Sequence, residues 1–203
     1  MWGPNGAVAR QLPPLGEDTT TAATAINDRG QVVGISGICD QSAGRFSAIR
    51  AVLWDSNGVP TSLGSFGGVA WNTPNAINQR GDVVGFANAS AADAGNFNPR
   101  AFLWRKGKGI QPLAALPGHV TSQATGINER RQIVGQSCDA DDNCRAVAWR
   151  GCEVTDLNTV MEASTPLMLT TANDIDDLGR ITGQAFDPAT GQFVAFVATP
   201  VRR

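Results

Sequence analysis

One ten-residue segment occurs four times in this chain of 203 residues. It reads AINDRGQVVG over 25–34, AINQRGDVVG over 76–85, GINERRQIVG over 126–135 and DIDDLGRITG over 174–183. Its isoleucines, Ile26, Ile77, Ile127 and Ile175, are spaced by 51, 50 and 48 residues. A second segment keeps the same period: RAVLW from Arg50, RAFLW from Arg100, RAVAW from Arg145 and VAFVA from Val194. A third is a glycine-containing turn followed by a leucine-rich stretch, as in GPNGAVARQLPPLG from Gly3, DSNGVPTSLG from Asp55 and RKGKGIQPLAALPG from Arg105. Three separate elements in one register mark the chain as a repeat array.

Each repeat reads as four short strands: A after the tryptophan, B the AIN segment, C the VVG segment and D the AFLW segment. Asn27 to Gly30 and Asn78 to Gly81 suit type I turns closed by a left-handed residue. Asp176 to Gly179 follows the same logic, and Arg131 takes the glycine position in the third repeat, where left-handed strain is expected. Asn5-Gly6 and Asn57-Gly58 are hairpin signals between D and A. No stretch has a helical period, so the chain is all-β.

Four-stranded units of this length fit the blades of a small β-propeller. A flat solenoid is the alternative. The expected domain is single, 1–203, with repeats at approximately 16–67, 68–118, 119–165 and 166–203. The last repeat lacks its A strand, so residues 1–15 are expected to supply it. Residues 2–15 would then pair with Val194–Ala198 and close the ring, removing an open sheet edge.

Apolar residues make up 42% and charged residues 17%, enough to build a core and too little charge for a disordered chain. The net charge is −2 with no Lys/Arg block, which argues against nucleic acid as a partner. No apolar run is long enough to span a bilayer. A monomer is expected.

The A–B and C–D loops share one end of the strands. The C–D loops, Ser36–Ser47, Ala87–Pro99, Gln136–Cys144 and Ala185–Gln192, are long and differ between repeats. Ligands are expected at that end. Phe66, Trp71, Phe86 and Phe97 fall there in the second repeat. Trp2, Trp54, Trp104 and Trp149 share one repeat position and read as packing. Trp71 has no counterpart, so it and its neighbours Phe66 and Phe97 are candidate contacts for a sugar ring or a protein anchor. Arg50, Arg100 and Arg145 also share a position and could together hold a carboxylate or phosphate. The competing expectation pairs each with a local acid such as Asp93 or Asp142.

Cys138 and Cys144 flank CDADDNC and would meet on adjacent antiparallel strands, which suits a disulfide. Cys39 and Cys152 lie at opposite strand ends and are not expected to pair. There is no C-x-x-C, and the acidic loop lacks the glycine and terminal glutamate of an EF-hand, so no metal and no cofactor is expected. His119 is the only histidine and lies in a loop at the proposed binding end. Without a nucleophile elbow or a defined carboxylate pair, the leading expectation is a non-catalytic module that binds a glycan or a protein ligand. The alternative is a carbohydrate-active hydrolase or lyase on the long-loop face.

The pattern A-x-[AG]-I-N-x-x-G-x-[VI]-V-G followed by A-F-L-W resembles the HAF-repeat family, bacterial proteins described as probable extracellular repeats. The resemblance covers nearly the whole chain. The histidine of the family's His-Ala-Phe triplet is replaced here by Arg50, Arg100, Arg145 and Val194. The resemblance implies an extracellular or periplasmic location. The chain starts at Met-Trp-Gly-Pro without a signal peptide, which is expected of an excised or trimmed array and equally of a cytoplasmic protein.

Overall fold

The computed structural model describes residues 9–38, 49–68, 71–89, 97–162 and 166–201. Among the described residues, fifteen strands form four antiparallel sheets, each built from consecutive strands. The first holds β1 (Thr20–Ile26), β2 (Val32–Gly37), β3 (Arg50–Trp54) and β4 (Pro60–Ser62). The second holds β5 (Thr73–Ile77), β6 (Val83–Asn88), β7 (Pro99–Arg105) and β8 (Gly109–Pro112). The third holds β9 (Thr121–Ile127), β10 (Gln132–Cys138), β11 (Cys144–Arg150) and β12 (Glu153–Asp156). The fourth has three strands, β13 (Met168–Ile175), β14 (Ile181–Asp187) and β15 (Gln192–Ala198). Strand order within a sheet is therefore B, C, D, A. No helix among the described residues is long and apolar enough to cross a membrane.

Every B strand carries a β-bulge at the same place, with Thr24, Asn75, Thr125 and Asn173 as the extra residue. A bulge turns its side chain out of the pleat. Thr24 Oγ1 thereby donates to Pro74 O of the next sheet at 2.6 Å, Asn75 Nδ2 to Ala124 O at 2.8 Å and Thr125 Oγ1 to Ala172 O at 2.5 Å. The same kink presses backbone against the facing strand. A Cβ on Gly34, Gly85, Gly135 or Gly183 would overlap the carbonyl oxygen of Ala22, Thr73, Gln123 or Thr171. That contact fixes the last glycine of the motif.

The motif asparagine has two tasks. Asn78 Oδ1 accepts the N–H groups of Arg80 and Asp82, both at 3.0 Å, and so shapes its own turn. Its Nδ2 donates to Asn128 O of the next sheet at 3.2 Å. Asn27 Nδ2 reaches Asn78 O at 3.0 Å, and Asn128 Nδ2 reaches Asp176 O at 3.0 Å. All three asparagines are buried, where an unmet amide would be costly. The result is a one-way ladder through all four sheets. Asp176 keeps the turn-shaping role but has no N–H to pass on.

Three apolar cores separate four sheets. Val33, Leu53, Val83 and Phe102 fill the first, Val84, Ala124, Val147 and Trp149 the second, and Val134, Leu157, Leu169 and Phe196 the third. Trp54, Trp104 and Trp149 are all buried, and Trp54 and Trp149 donate their indole N–H to Pro13 O and Ala114 O, both at 2.7 Å.

No comparable core joins the fourth sheet to the first among the described residues. On the first and fourth sheets, Ile26 and Val197 are exposed. The expected closing strand is corrected for its described part. Residues 9–15 form no strand and do not pair with β15; they run along the first sheet. Arg10 bonds Ser56 O, Leu12 O accepts from Thr21, and the Leu15 amide donates to Ser36 Oγ. The physical reason is the buried Trp54, whose indole N–H needs the Pro13 carbonyl. Residues 2–8, including Trp2, lie outside the described residues.

Candidate functional site

The linkers between A and B strands place one residue at the same point in the first and third sheets. The Asp18 amide donates to Leu15 O, and the His119 amide donates to Leu116 O. The residue after each, Thr19 or Val120, then joins the end of the C strand at Gly37 O or Cys138 O. Beside this point stand a fully buried serine, Ser36 or Ser137, and the arginine paired with it across the sheet, Arg50 or Arg145.

The two sheets use this arrangement differently. In the first, Asp18 is buried, Ser36 Oγ donates to its Oδ2 at 2.7 Å, and Arg50 forms an ion pair with its Oδ1 at 2.5 Å. Arg50 is thereby committed to its own fold and is not a free ligand contact. In the third, the acid is replaced by His119. Ser137 Oγ turns to Thr121 O at 3.3 Å. The Arg145 guanidinium has no acid partner among the described residues, Asp142 included. His119 Nδ1 is buried and has no hydrogen-bond partner there either. A group that is closed in one repeat stands open in another.

Arg145 and His119 line a cleft of about 610 Å³ between the third and fourth sheets. One wall is polar: His119, Asp139, Asp142, Asn143, Cys144 and Arg145. The other comes from the fourth sheet: Met168, Thr170, Thr171, Gln184, Phe186 and Phe193. Phe186 and Phe193 meet edge to face with ring centres 5.6 Å apart, and Phe193 is 62% exposed. Thr171 Oγ1 bonds Gln136 Oε1 at 2.8 Å and ties the two walls together.

The polar wall is held by a stapled hairpin. Cys138 and Cys144 are direct cross-strand partners and are joined by a disulfide. Beyond it, Asp139 organises the tip by accepting the amides of Asp141 and Asn143, both at 2.9 Å, and the Asn143 side chain at 3.1 Å. The Asn143 side-chain and main-chain donors hold the Asp139 carboxyl below the usual range, with the His119 charge adding a smaller pull. Asp142 takes a left-handed conformation at the tip, φ 61°.

The other candidates divide. Trp71, Phe97 and Phe86 form a cluster at the loop end of the second sheet, with Trp71–Phe97 centres 4.5 Å apart and Phe86–Phe97 centres 5.8 Å apart. Phe97 is partly exposed, and Trp71 is half-buried with a left-handed φ of 65°. Phe66 does not join them; it packs on the core between the first and second sheets. Arg100 occupies the repeat position on β7, opposite Ala87. Asp93, an acid expected to pair with one of the arginines, lies outside the described residues, as does Cys39. Cys152 is an exposed free thiol in the D–A turn of the third sheet.

Phe186, Phe193 and Met168 were not among the sequence candidates. Phe193 sits where the other repeats have Ile49, Pro99 and Cys144, the residue before the arginine position, a departure visible only once the decayed fourth repeat is aligned on its strand. No curated protein matches the sequence. The model of a family described as "Protein of unknown function (DUF3466)" matches residues 15–194, which spans all four sheets. The chain belongs to that family.

Proposed function

We propose that the protein is a non-catalytic binding module for acidic glycans, with its ligand in the cleft between the third and fourth sheets. One observation carries this reading: Arg145 and His119 lack the internal partners that Arg50 and its neighbours have in the first sheet. An unpaired guanidinium presents a planar fork that matches a carboxylate. The exposed Phe193 ring supplies a flat apolar face for a sugar. A uronate carries both features on one ring. The four sheets are read as propeller-type blades in an array. The resemblance to HAF repeats and the disulfide support an extracellular or periplasmic setting.

Titration calorimetry with di- and trigalacturonate is the test. Binding is expected, with neutral galactose oligomers bound much more weakly. Arg145→Ala is expected to weaken the uronate about tenfold or more, the scale of a charged hydrogen bond. Equal affinity for acidic and neutral sugars would reject the reading.

A lyase is the second reading, favoured by the imidazole of His119, which lines the same cleft beside Arg145. Arg145 would neutralise the uronate carboxylate, and His119 would take the proton from the adjacent carbon. The electron pair would form a carbon–carbon double bond as the glycosidic oxygen leaves. Ultraviolet absorbance of an unsaturated product separates the two readings.

A further inference from the structure

Four arginines converge on a second cleft at the opposite, tight-turn end of the strands, independent of the uronate site. It has a volume of about 640 Å³ and lies between the second and third sheets. Arg105 comes from the end of β7, Arg130 and Arg131 from the turn between β9 and β10, and Arg150 from the end of β11. No aspartate or glutamate lines it. The chain has only 16 cationic residues and a net charge of −2, so this local excess is not a property of the surface at large.

The groups are unequally satisfied. Arg131 is neutralised by Asp82, which its Nε reaches at 2.6 Å. Arg105 gives Nη2 to Gln111 Oε1 at 2.6 Å, while its Nε is buried with no acceptor among the described residues. The guanidinium groups of Arg130 and Arg150 also have no acceptor there. The acids nearest in sequence form no ion pair with them: Glu129 receives the Gln79 amide and stands 4.0 Å from Arg80, and Glu153, the cross-strand partner of Arg150, makes no salt bridge to it and does not line the cleft. Leu113 and Ile133, both buried, form part of the floor beside Leu103 and Pro112. Like charges held around a concave apolar floor repel one another unless an anion lies between them.

We infer that this cleft is an anion-binding site for a tetrahedral oxyanion, a phosphate or sulfate ester, carried on a body that covers the apolar floor. Arg105, Arg130 and Arg150 supply the forks. Arg131 acts mainly through Asp82 and completes the rim.

The test is calorimetric titration of the whole chain, at matched ionic strength, with glucose 6-phosphate, N-acetylglucosamine 6-sulfate and glucose. One or both esters are expected to bind and glucose is not; the ratio of the two esters identifies the oxyanion. Arg130→Ala/Arg150→Ala is expected to weaken ester binding at least tenfold. Both side chains are exposed, so the variant should melt like the parent. Arg145→Ala should leave ester binding unchanged, which separates this site from the uronate cleft. Peptide mapping gives a second readout: the bound ester should slow alkylation of Cys152, which lines the same cleft. No ester binding at millimolar concentration, equal binding of glucose, or undiminished binding by the double variant would each overturn the inference.

Discussion

Arg131 Nε donates to Asp82 Oδ2 at 2.6 Å across the joint between the second and third sheets, and it does so from left-handed backbone with φ 58°. The other three repeats have Gly30, Gly81 and Gly179 at that turn position. Asp82 in turn stands where the first and third repeats have Gln31 and Gln132. The pair is a matched exception to the repeat. A left-handed L-residue costs about 1–2 kcal/mol, and stranding a buried carboxylate costs about 1–3 kcal/mol. Arg131→Gly alone is therefore expected to be neutral or mildly destabilising, despite relieving the strain. Asp82→Gln/Arg131→Gly should be at least as stable as the parent. Denaturant unfolding measures both, and strict additivity of the two single changes would refute the coupling.

Asn78→Asp tests the ladder. It keeps the oxygen that shapes the turn and removes the N–H given to Asn128 O. It also places a carboxylate at a buried point beside Asp82. A loss of about 3 kcal/mol is expected at neutral pH. Burial and the neighbouring acid raise the folded-state pKa of the new carboxyl above its unfolded value. The penalty should therefore shrink as pH falls and the group protonates. A change under about 0.5 kcal/mol at neutral pH, the usual surface range, would show that the ladder carries no weight.

Gly85→Ala should be among the most damaging single-methyl additions in the chain. The new Cβ meets the Thr73 carbonyl oxygen and the Pro74 backbone, which cannot swing aside as a side chain can. A cost of about 3 kcal/mol or more, or failure to fold, is expected. Gly107→Ala is the control: a Cβ there has open space, and only its left-handed φ of 78° is strained. Thermal melts of the two variants should differ widely.

The stapled hairpin predicts two outcomes. Closing so short a loop by the Cys138–Cys144 disulfide contributes about 2 kcal/mol in the chain-entropy account, so Cys138→Ser/Cys144→Ser should lower stability by that order and weaken uronate binding. The Asp139 carboxyl is held low by its Asn143 donors. A lowered folded-state value stabilises the ionised form, so its contribution is present at neutral pH and is lost only as pH falls through that value. Carboxyl NMR titration should give Asp139 a midpoint below the ordinary value of about 3.9, and Asn143→Ala should move it up. An unshifted midpoint would contradict the tip geometry.

Trp71 combines a half-buried indole with a φ that suits glycine. Trp71→Gly should retain more stability than Trp71→Ala by about 1 kcal/mol, because only glycine relieves the backbone. Equal melts for the two would mean that the strain is absent in solution.

The repeat, its turns and its buried tryptophans were legible because each rests on local chemistry. Asparagine shapes its own turn, glycine alone fits the bulge contact, and Arg131 showed its strain by replacing a glycine. The sites were less legible. Arg50 and Arg145 look identical in sequence, and their fates are set by Asp18 and His119, which lie in irregular linkers with no motif to align. The arginine cleft joins residues from 105 to 150, so no basic run announces it. The closing strand was inferred from register alone. Register fixes which strand is missing, and the Trp54 indole decided where residues 9–15 lie instead.

The asparagine ladder makes each sheet answer only to its immediate neighbour. Such a stack should fray like a row of latches undone in turn, with the end sheets exchanging their amide hydrogens first and the second and third sheets last. The cleft proposed for a uronate sits at the joint between the third sheet and the fourth. A sugar bound there would act as a clasp on the weakest hinge of the row, and its occupancy would be recorded as slowed exchange along β13, β14 and β15.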